Sequence, residues 1–544
     1  MAIYCDQVGY LASARKRAAM TSGKEFCVIR MDAEKEETVY RGKGMDRGLD
    51  PASGDRVTTA DFSEVTQPGR YCLENELGER SHTFVIGKHV YGELRKDLIK
   101  ALYFQRCGCA LDRKYAGVYE HPCCHMGEAV LWENHSVVHE VKGGWHDAGD
   151  YGRYISPAAV AVGHLLYAYQ MFPEAFQEEI RIPESGNGVP DILNECRYEL
   201  EWMLKMQDEN GGAYHKLTSQ RHADFIMPQE DLTQFYLFPV SSMATADYAA
   251  AMALASRVYR SVDEAFADRM LEAALRAEEW LEKHPEYVGF HNPEGCNTGE
   301  YDDDCDRDER LWATAELLVT TGEKKYQAQI AELLKEDLSF IDFGWTDVSG
   351  FAALALLTDE KGSADGETIA FLQNKVYHEA DRLVEIGEKS GYDVAMEPED
   401  YVWGSNMVVL NRGMLLVLAA YLGRADDSQI PETQRSRYEQ TALAQLHYLL
   451  GNNAVDYSYV TGFGEHAYSH PHNRPTECDG IEQPMPGWVS GGPFKTPCDE
   501  VGREQIAPGT PPMKCYLDHA ACYSLNEITI YWNSPAVFVT AYFA

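Results

Sequence analysis

The hydrophobic periodicity of the chain changes near residue 88, and this change limits the folds it can adopt. Before it, short apolar segments are separated by turn residues, as in FCVIRMD (26–32), ETVYRG (37–42) and SHTFVIG (81–87). This pattern is typical of a small antiparallel β-sandwich. After it, apolar residues recur at helical spacing, beginning with HVYGELRKDLIKALYFQRC. We therefore predict two domains, a β-sandwich over 1–87 and a helical domain over 88–544.

The second domain shows a succession of helical patterns. In PDILNECRYELEWMLKMQ (190–207) the apolar residues form one stripe, with Pro190 suited to the first turn and Gly211 beyond the end. Similar patterns predict helices near 155–172, 242–258, 263–283, 308–321, 366–388, 405–422, 432–449 and 534–543. Their spacing indicates paired helices and suggests a toroid of helical hairpins. The stretch 452–515 lacks periodicity, and its many aromatic residues favour an ordered, functional loop.

Charge and composition exclude several classes of partner. The formal net charge of −38 argues against nucleic acid or an anionic membrane, because binding phosphate needs clustered positive charge. No apolar run is long enough to span a membrane. The beginning of the sequence lacks the features of a signal peptide, so we expect a cytoplasmic protein, or a secreted one whose signal lies outside this sequence. The 14 cysteines are interpreted as reduced thiols or metal ligands.

The segment KGGWHDAGDYGRY (142–154) places two carboxylates on a turn flanked by glycines. Asp147 and Asp150, three residues apart, can both face one water molecule. One would accept its proton as a general base while the other holds it. The alternative is that they cap the helix that follows, since Asp is favoured at helix starts. Spacing alone leaves both interpretations open.

Two later stretches contain residues that could complete such a site. Glu527 lies among apolar residues in SLNEITIYWNSPAVF (524–538), where burial would raise its pKa as a general acid requires. It could also be a surface residue of a helix. His472 and Arg474 in SYVTGFGEHAYSHPHNRP (458–475) could hold sugar hydroxyls, or belong to an ordinary polar loop. A protonated acid and an ionised base on either side of a glycosidic bond are what inverting glycosidases use.

Two clusters have the composition of metal sites. Two Cys and two His would complete a closed tetrahedral zinc shell, and six such residues lie near the first motif: Cys107, Cys109, Cys123, Cys124, His125 and His146. Buried thiols are the alternative. The stretch TGEYDDDCDRDERLW (298–312) has six carboxylates within 302–309, whose oxygens suit calcium. Its spacing is not that of an EF-hand, and a solvated acidic helix start is equally consistent with it.

Taken together, these stretches resemble glycoside hydrolase family 9, in the branch with an N-terminal immunoglobulin-like module. GGWHDAGDYGRY, VTGFGEHAYSHPHNRP and NEITIYWNSPAVF are similar to three signatures of that family, in the same order. The resemblance extends over the whole chain. It implies a mainly α fold, an (α/α)6 barrel preceded by a small all-β immunoglobulin-like sandwich, and inverting cleavage of β-1,4-glucans.

The resemblance also implies roles for individual residues. Carried over by position, Asp150 would be the catalytic base, Asp147 its water-holding partner and Glu527 the acid. Four further residues would bind sugar: His472, Arg474, Trp403 and Trp532. The sequence departs from the family in the histidine signature, where Asn473 replaces a second His and two extra histidines, His466 and His470, are present.

Two metals are implied by the same resemblance, and no organic cofactor is expected. Four residues would hold a structural zinc: Cys107, Cys124, His125 and His146. Calcium would be held by Asp308 and Glu309, with Asp304 and Asp347 as further candidates. In the zinc site the four ligands fill the shell, which disfavours a zinc hydrolase, because such an enzyme needs an open position for water.

We expect an endo-β-1,4-glucanase that acts on β-glucan or cello-oligosaccharides as a monomer. An exo-acting β-glucosidase or glucosaminidase is the nearest alternative. A catalytically silent carbohydrate-binding protein is the alternative from another class. It would need aromatic residues and hydrogen bonds but not the three acidic residues.

Overall fold

The structure is a computed structural model that describes residues 2–31, 35–425 and 430–544. The chain divides into two compact units. The first unit comprises Met1–Leu98, Glu379–His472 and Glu482–Ala544, and the second comprises Ile99–His378 and Asn473–Ile481.

The first unit begins with a β-sandwich. Its strands are β1 (Ile3–Tyr4), β2 (Gly9–Leu11), β3 (Arg17–Met20), β4 (Glu25–Met31), β5 (Glu36–Lys43), β6 (Met45–Leu49), β7 (Arg56–Asp61), β8 (Gly69–Asn75) and β9 (Phe84–Gly87). One sheet has the order β1-β3-β7-β6 and the other β2-β9-β8-β4-β5. All neighbours pair antiparallel except β2 and β9, which are parallel. Ile3 and Met20 of one sheet pack with Phe26, Leu73 and Phe84 of the other, so the core lies between the sheets.

The three predicted strand segments correspond to β4, β5 and β9. Asp32, the last residue of the first segment, lies outside the described residues. The third strand is shorter than its segment and begins at Phe84, because Ser81 instead bonds through its backbone and hydroxyl to Leu73 of β8.

Helices are the main regular structure of the remaining chain. They are α1 (Gly92–Phe104), α2 (Arg113–Ala116), α3 (Ile155–Met171), α4 (Asp191–Met203), α5 (Ser242–Tyr259), α6 (Glu264–Lys283), α7 (Arg307–Thr321), α8 (Lys324–Leu333), α9 (Ser349–Leu357), α10 (Gly366–Lys389), α11 (Ser405–Ala425), α12 (Glu432–Leu449), α13 (Arg474–Cys478), α14 (Glu500–Gln505), α15 (Tyr523–Asn526) and α16 (Ile530–Tyr542). The predicted long helices all occur, with bounds shifted by a few residues.

Neighbouring helices pack in pairs within each unit. In the second unit α3 packs on α4 and α5, α5 on α6 and α7, and α7 on α8 and α9. In the first unit α11 packs on α12 and α16. Helix α9 was not predicted because SGFAALALL is buried along almost its whole length and has no polar face to reveal a period.

Helix α11 is apolar enough, over Ser405–Arg424, to cross a membrane by length and composition, with a mean hydropathy of 1.4. Of its most apolar window, 78% is buried inside the fold, as in a core helix. It is the one such helix in the described parts of the chain.

A small sheet in the second unit was not predicted, because its strands are only two to six residues long. It contains β10 (Ala129–Leu131), β11 (Asn134–His139), β12 (Arg153–Tyr154), β13 (Lys216–Thr218) and β14 (Tyr236–Leu237), in the order β11-β10-β14-β13-β12. Strand β12 follows the glycine-rich turn directly and leads into α3. The sheet therefore holds the end of the turn that carries the two aspartates.

The stability of the sandwich can be tested by truncating its core. Leu73 of β8 is fully buried, so Leu73→Ala should reduce the free energy of unfolding by about 2–5 kcal/mol, through lost apolar contact and the cavity left behind. Urea denaturation of the full chain, followed by circular dichroism, measures the change. Leu77 is 65% exposed, and Leu77→Ala should change stability by about 0.5 kcal/mol or less. Equal losses in the two variants would contradict the core described here.

Candidate active site

Hydrogen bonds from neighbouring segments fix the glycine-rich turn of the second unit. The side-chain amide of Gln105 donates to the carbonyl oxygens of His146 and Ala148, at 3.1 and 2.7 Å. The His146 N–H donates back to the Gln105 carbonyl at 2.7 Å. The buried Glu199 carboxylate of α4 accepts the Trp145 N–H at 2.5 Å. The backbone of the turn is thus held from two sides.

Glycine is required at one point of this turn. Gly144 has a φ of +76°, and a Cβ there would lie 2.7 Å from the ring of Trp202. A side chain would therefore be strained and would also displace a buried tryptophan. This contact accounts for one of the glycines in the sequence motif.

Asp147 is enclosed in the protein, with 1% of its surface exposed. Its Oδ2 accepts a hydrogen bond from the Tyr301 hydroxyl at 2.5 Å. Its Oδ1 is buried and has no hydrogen-bond partner among the described residues. Burial raises the pKa of Asp147 well above its ordinary value, the Tyr301 hydrogen bond opposes this, and the Asp150 charge adds to it. Oδ1 is therefore the atom through which Asp147 can contact a ligand or water.

Asp150 is also buried but has the opposite electrostatic environment. Its Oδ2 accepts hydrogen bonds from the Gly152 N–H and from Nδ1 of His222, each at 3.0 Å. Burial acts to raise the pKa of Asp150, but the charges of His222 and Arg474 outweigh it and hold the pKa well below its ordinary value. Asp150 is therefore an ionised carboxylate in a largely dry environment, which suits a general base.

The helix-cap interpretation of the two aspartates is wrong. Helix α3 begins at Ile155, and its N-cap residue is Tyr154, which makes no side-chain cap bond. Asp150 bonds instead to Gly152 inside the turn, and Asp147 bonds to Tyr301.

Arg474, at the start of α13, reinforces the same turn. Its backbone N–H and one guanidinium nitrogen donate to the Gly149 carbonyl oxygen, at 3.1 and 2.7 Å, and Nε donates to the Ala223 carbonyl at 2.8 Å. The guanidinium lies 5.5 Å from the centre of the half-exposed Phe225 ring. Arg474 is thus mainly a positioning residue that also supplies positive charge next to Asp150.

The first unit brings together two other residues singled out in the sequence. Glu527 lies between α15 and α16, and residues 472 and 527 form a parallel backbone bridge. The His472 N–H donates to the Asn526 carbonyl at 2.8 Å, and His472 Nδ1 lies 2.6 Å from the Ala520 carbonyl, which places the proton on Nδ1. Glu527 is half-buried, whereas its neighbour Ile528 is fully buried.

The two predicted sugar-binding tryptophans differ in exposure. Trp403 is 44% exposed and packs against Tyr523, with ring centres 5.6 Å apart, so this pair offers an aromatic surface. Trp532 is only 4% exposed and lies directly under Gly404 and Gly491. It supports the surrounding backbone and offers little surface for stacking on a sugar.

Four residues of the second unit form a candidate metal centre: Cys107, Cys124, His125 and His146. One ligand atom from each lies within 4.8 Å of the others. Nδ1 of His125 is 3.6 Å from the Cys107 sulfur and 3.2 Å from Nε2 of His146. The other nitrogen of His125 lies 3.3 Å from the Asp231 carboxylate, which fixes the ring as it does in many metal sites. Of the other two cysteines considered, Cys123 is exposed and neither belongs to this group.

The predicted calcium residues are arranged less compactly. Asp304 is exposed, and Asp347 accepts hydrogen bonds from Ser349. Asp304, Asp308, Glu309 and Asp347 are not among the groups of the described chain whose ligand atoms converge within 4.8 Å. Glu309 and Asp247 are fully buried, however. Glu309 interacts with Asp308 and Asp247 with Ser156, but none of the four carboxylate oxygens makes a hydrogen bond of normal geometry within the described ranges. These oxygens fit a bound cation or protons.

Comparison with known proteins decides the family. Residues 91–540 match the model of glycosyl hydrolase family 9, and residues 1–78 match that of the cellulase N-terminal ig-like domain. The chain belongs to glycosyl hydrolase family 9. It is 41% identical to a cellodextrinase of Butyrivibrio fibrisolvens, over 98% of each protein.

Two solved structures of family 9 enzymes have the same fold. The structure of AaCel9A in complex with cellobiose-like isofagomine has a TM-score of 0.92 at 36% identity and covers 99% of both chains. The Zn-binding triple mutant of the endoglucanase J30 has a TM-score of 0.90 at 33% identity and covers 98% of this chain and 99% of the other. The predicted fold class, an (α/α)6 barrel with an N-terminal immunoglobulin-like sandwich, is confirmed.

Sequence reasoning missed three residues of this family 9 site. His222 contacts Asp150, Tyr301 contacts Asp147, and Asp231 contacts His125. Each comes from a stretch with no recognisable motif or, for Tyr301, from the acidic cluster that was interpreted as a metal site. Their roles depend on long-range contacts, and no local pattern could have revealed them.

The pH dependence of activity tests the contact between His222 and Asp150. Because His222 favours the ionised form, the pKa of Asp150 lies below its ordinary value, and Asp150 should cease to act as a base as pH falls through that low pKa. His222→Ala should raise this pKa and move the acidic limb of kcat/KM upward by about one pH unit. His378 is exposed on α10, and His378→Ala should leave the limb in place. An unchanged limb in His222→Ala would contradict the assignment.

Proposed function

We propose that this chain is an inverting endo-β-1,4-glucanase that cleaves cello-oligosaccharides and soluble β-1,4-glucans. The observation that carries the proposal is the buried Asp150, hydrogen-bonded to His222, on the same turn as the unpartnered Oδ1 of Asp147. Membership of family 9 supports the reaction class. The identity to a cellodextrinase and the cellobiose-like ligand of AaCel9A support β-1,4-linked glucose as the substrate.

In this proposal each carboxyl group has one role. Asp150 removes a proton from a water molecule that Asp147 holds through Oδ1. The water oxygen attacks the anomeric carbon, the bond to the leaving oxygen breaks, and Glu527 donates the proton that this oxygen needs. His472 would contact the sugar at the cleaved bond, while Arg474 acts through the turn and the charge it provides.

The aromatic pair of Trp403 and Tyr523 would stack on glucose rings. Aromatic faces suit the apolar faces of pyranose rings and tolerate sliding along a chain. A silent binding protein would need this surface but not a buried, ionised base. The identity to a cellodextrinase favours action on short chains as the second candidate.

We also propose that the centre of Cys107, Cys124, His125 and His146 holds a structural zinc ion. Two thiolates and two imidazoles are a typical closed zinc shell, and a zinc-binding variant exists among the family 9 neighbours. When bound, the ion would stabilise the segment next to Asp147, since His146 precedes it in sequence. For the buried oxygens of Glu309 and Asp247 we propose calcium, with Asp308 as a neighbouring carboxylate.

The stereochemistry of the first product tests the mechanism. With single displacement, hydrolysis of cellopentaose should release the α-anomer first, and proton NMR in the first minutes detects it before mutarotation. Asp150→Asn should reduce kcat by about 10²–10⁴-fold with an unchanged fold, because nothing replaces the base. An initial β-anomer would contradict the roles assigned to the two aspartates.

The same time course separates modes of action. Fragments of mixed length indicate internal cleavage, whereas release of one glucose at a time would favour the exo-acting alternative. If the wild-type protein released no measurable product, a carbohydrate-binding protein without catalytic activity would be the better interpretation.

Removal of one thiol tests the zinc centre. Cys124→Ser should lower the zinc content by one equivalent per chain and reduce Tm, because a structural ion contributes to folding stability. Inductively coupled plasma mass spectrometry and calorimetry measure the two effects. Cys123→Ser is the matched control, since Cys123 is adjacent, exposed and outside the group. Equal zinc content in the two variants would show that the cluster is a set of buried thiols.

A further inference from the structure

A second group of side chains of metal-ligating type lies in the first unit, separate from the aspartate turn and from the cysteine centre. His82 precedes β9, whereas Asp456 and His466 lie in the irregular stretch after α12. One ligand atom from each lies within 4.8 Å of the others. His466 is one of the two extra histidines in the histidine signature of this sequence.

Hydrogen bonds orient both imidazole rings. Nδ1 of His82 lies 3.1 Å from a Glu465 carboxylate oxygen, and its Nε2 lies 3.1 Å from Oδ2 of Asp456. Nδ1 of His466 lies 2.9 Å from the Asp456 carbonyl oxygen, to which it can only donate. The Nδ1 proton of His466 leaves the lone pair of that ring on Nε2. In His82 each ring nitrogen faces a carboxylate oxygen, and an ion between Nε2 and Asp456 would replace the Nε2 proton, while Glu465 keeps the proton on Nδ1.

Glu465 is itself held in place by the sandwich. Its other carboxylate oxygen accepts hydrogen bonds from the Thr83 hydroxyl and from Arg70, the latter at 3.3 Å. The ring of His82 is therefore fixed by a carboxylate whose own position is fixed. The His82 ring is thus ordered before any ligand binds, which reduces the conformational entropy that the side chain loses on binding.

Asp456 presents an unsatisfied oxygen at this point. Its backbone has a φ of +61°, in the left-handed region, and its carbonyl also accepts from the Gln7 amide at 2.9 Å. Oδ2 faces His82, whereas Oδ1 is buried and lacks a hydrogen-bond partner in the described part of the chain. A buried carboxylate oxygen without a partner is costly, and a cation held between Oδ2 and Nε2 of His82 would neutralise the charge that the two oxygens share.

We propose that His82, Asp456 and His466 bind a divalent ion of the zinc type, with Glu465 orienting His82. Two imidazoles and one carboxylate, with a water as fourth ligand, are a common zinc set. Ligand atoms about 2.0–2.1 Å from a tetrahedral ion lie roughly 3.3 Å apart, close to the 3.1 Å between His82 Nε2 and Asp456 Oδ2. Calcium and magnesium prefer oxygen ligands and fit this set poorly.

The ion would connect two segments that are far apart in sequence. His82 belongs to the β-sandwich, and His466 lies six residues before His472 in the same irregular stretch. Binding would therefore tie the sandwich to the segment that leads to a residue predicted to contact the sugar. Metal content reports on this site whether or not the chain is a glucanase.

The test uses full-length protein that has been stripped of metal and dialysed against micromolar free zinc. His466→Gln and His82→Gln should each contain one zinc equivalent fewer than wild type by mass spectrometry, and their Tm should respond less to zinc. His470→Gln is the matched control, because His470 lies on the same stretch, is largely exposed and contacts Asp518 rather than the cluster. It should bind as much zinc as wild type.

Cobalt substitution distinguishes this site from the cysteine centre. A site of imidazoles and carboxylate adds only d–d bands, whereas thiolates add a charge-transfer band. His466→Gln should lose the d–d bands of the imidazole site and keep the thiolate band. Cys124→Ser should weaken the thiolate band together with the d–d bands of the cysteine centre, and keep those of the imidazole site. Zinc content and cobalt spectra equal to wild type in His466→Gln and His82→Gln would overturn the proposal and leave a hydrogen-bonded ion network. If one glutamine variant failed to fold, as judged by circular dichroism, the other would decide.

Discussion

The hydrogen bonds that Gln105 and Glu199 make to the glycine-rich turn are the contacts on which the candidate site depends. The turn carries two aspartates and a histidine of the candidate metal centre within five residues. The side-chain amide of Gln105 donates hydrogen bonds to two carbonyl groups of the turn. The carboxyl group of Glu199 accepts one from a backbone N–H on the other side of the turn. Because the backbone is held in this way, the carboxyl groups cannot relax away from each other, and their environments stay different.

The electrostatics follow from which partners the fold places next to each buried carboxylate. The chain has a net charge of −38, so most of its acidic side chains must remain in solvent. Two environments can be contrasted among the buried ones. Asp150 has His222 and Arg474 beside it, which favour its ionised form. Asp147, Asp247, Glu309 and Asp456 each have at least one oxygen with no hydrogen-bond partner among the described residues, and water, protons or a cation can supply that partner.

Much of the fold could be predicted because its elements have strong local patterns. The long amphipathic helices, such as α4 and α6, were predicted from the helical spacing of their apolar residues. The sandwich was predicted from short apolar segments that are separated by turn residues. Helix α9 and the small sheet were missed, the first because it is buried on all sides and the second because its strands are too short to show alternation. At the site, the motif residues Asp147, Asp150 and Arg474 were found from sequence. Their partners Tyr301 and His222 were not, because a contact across 154 or 72 positions leaves no trace in local spacing.

The contact between Gly144 and Trp202 sets a limit on how this enzyme can be redesigned. No L-amino acid with a side chain fits at 144 without moving a tryptophan that is itself buried, so the turn offers almost no room for directed evolution. Libraries aimed at new substrates should leave the turn unchanged. They should vary the exposed Phe225 next to Arg474 and the surface around Trp403, where substitutions alter what the protein contacts without altering how its carboxylates are held.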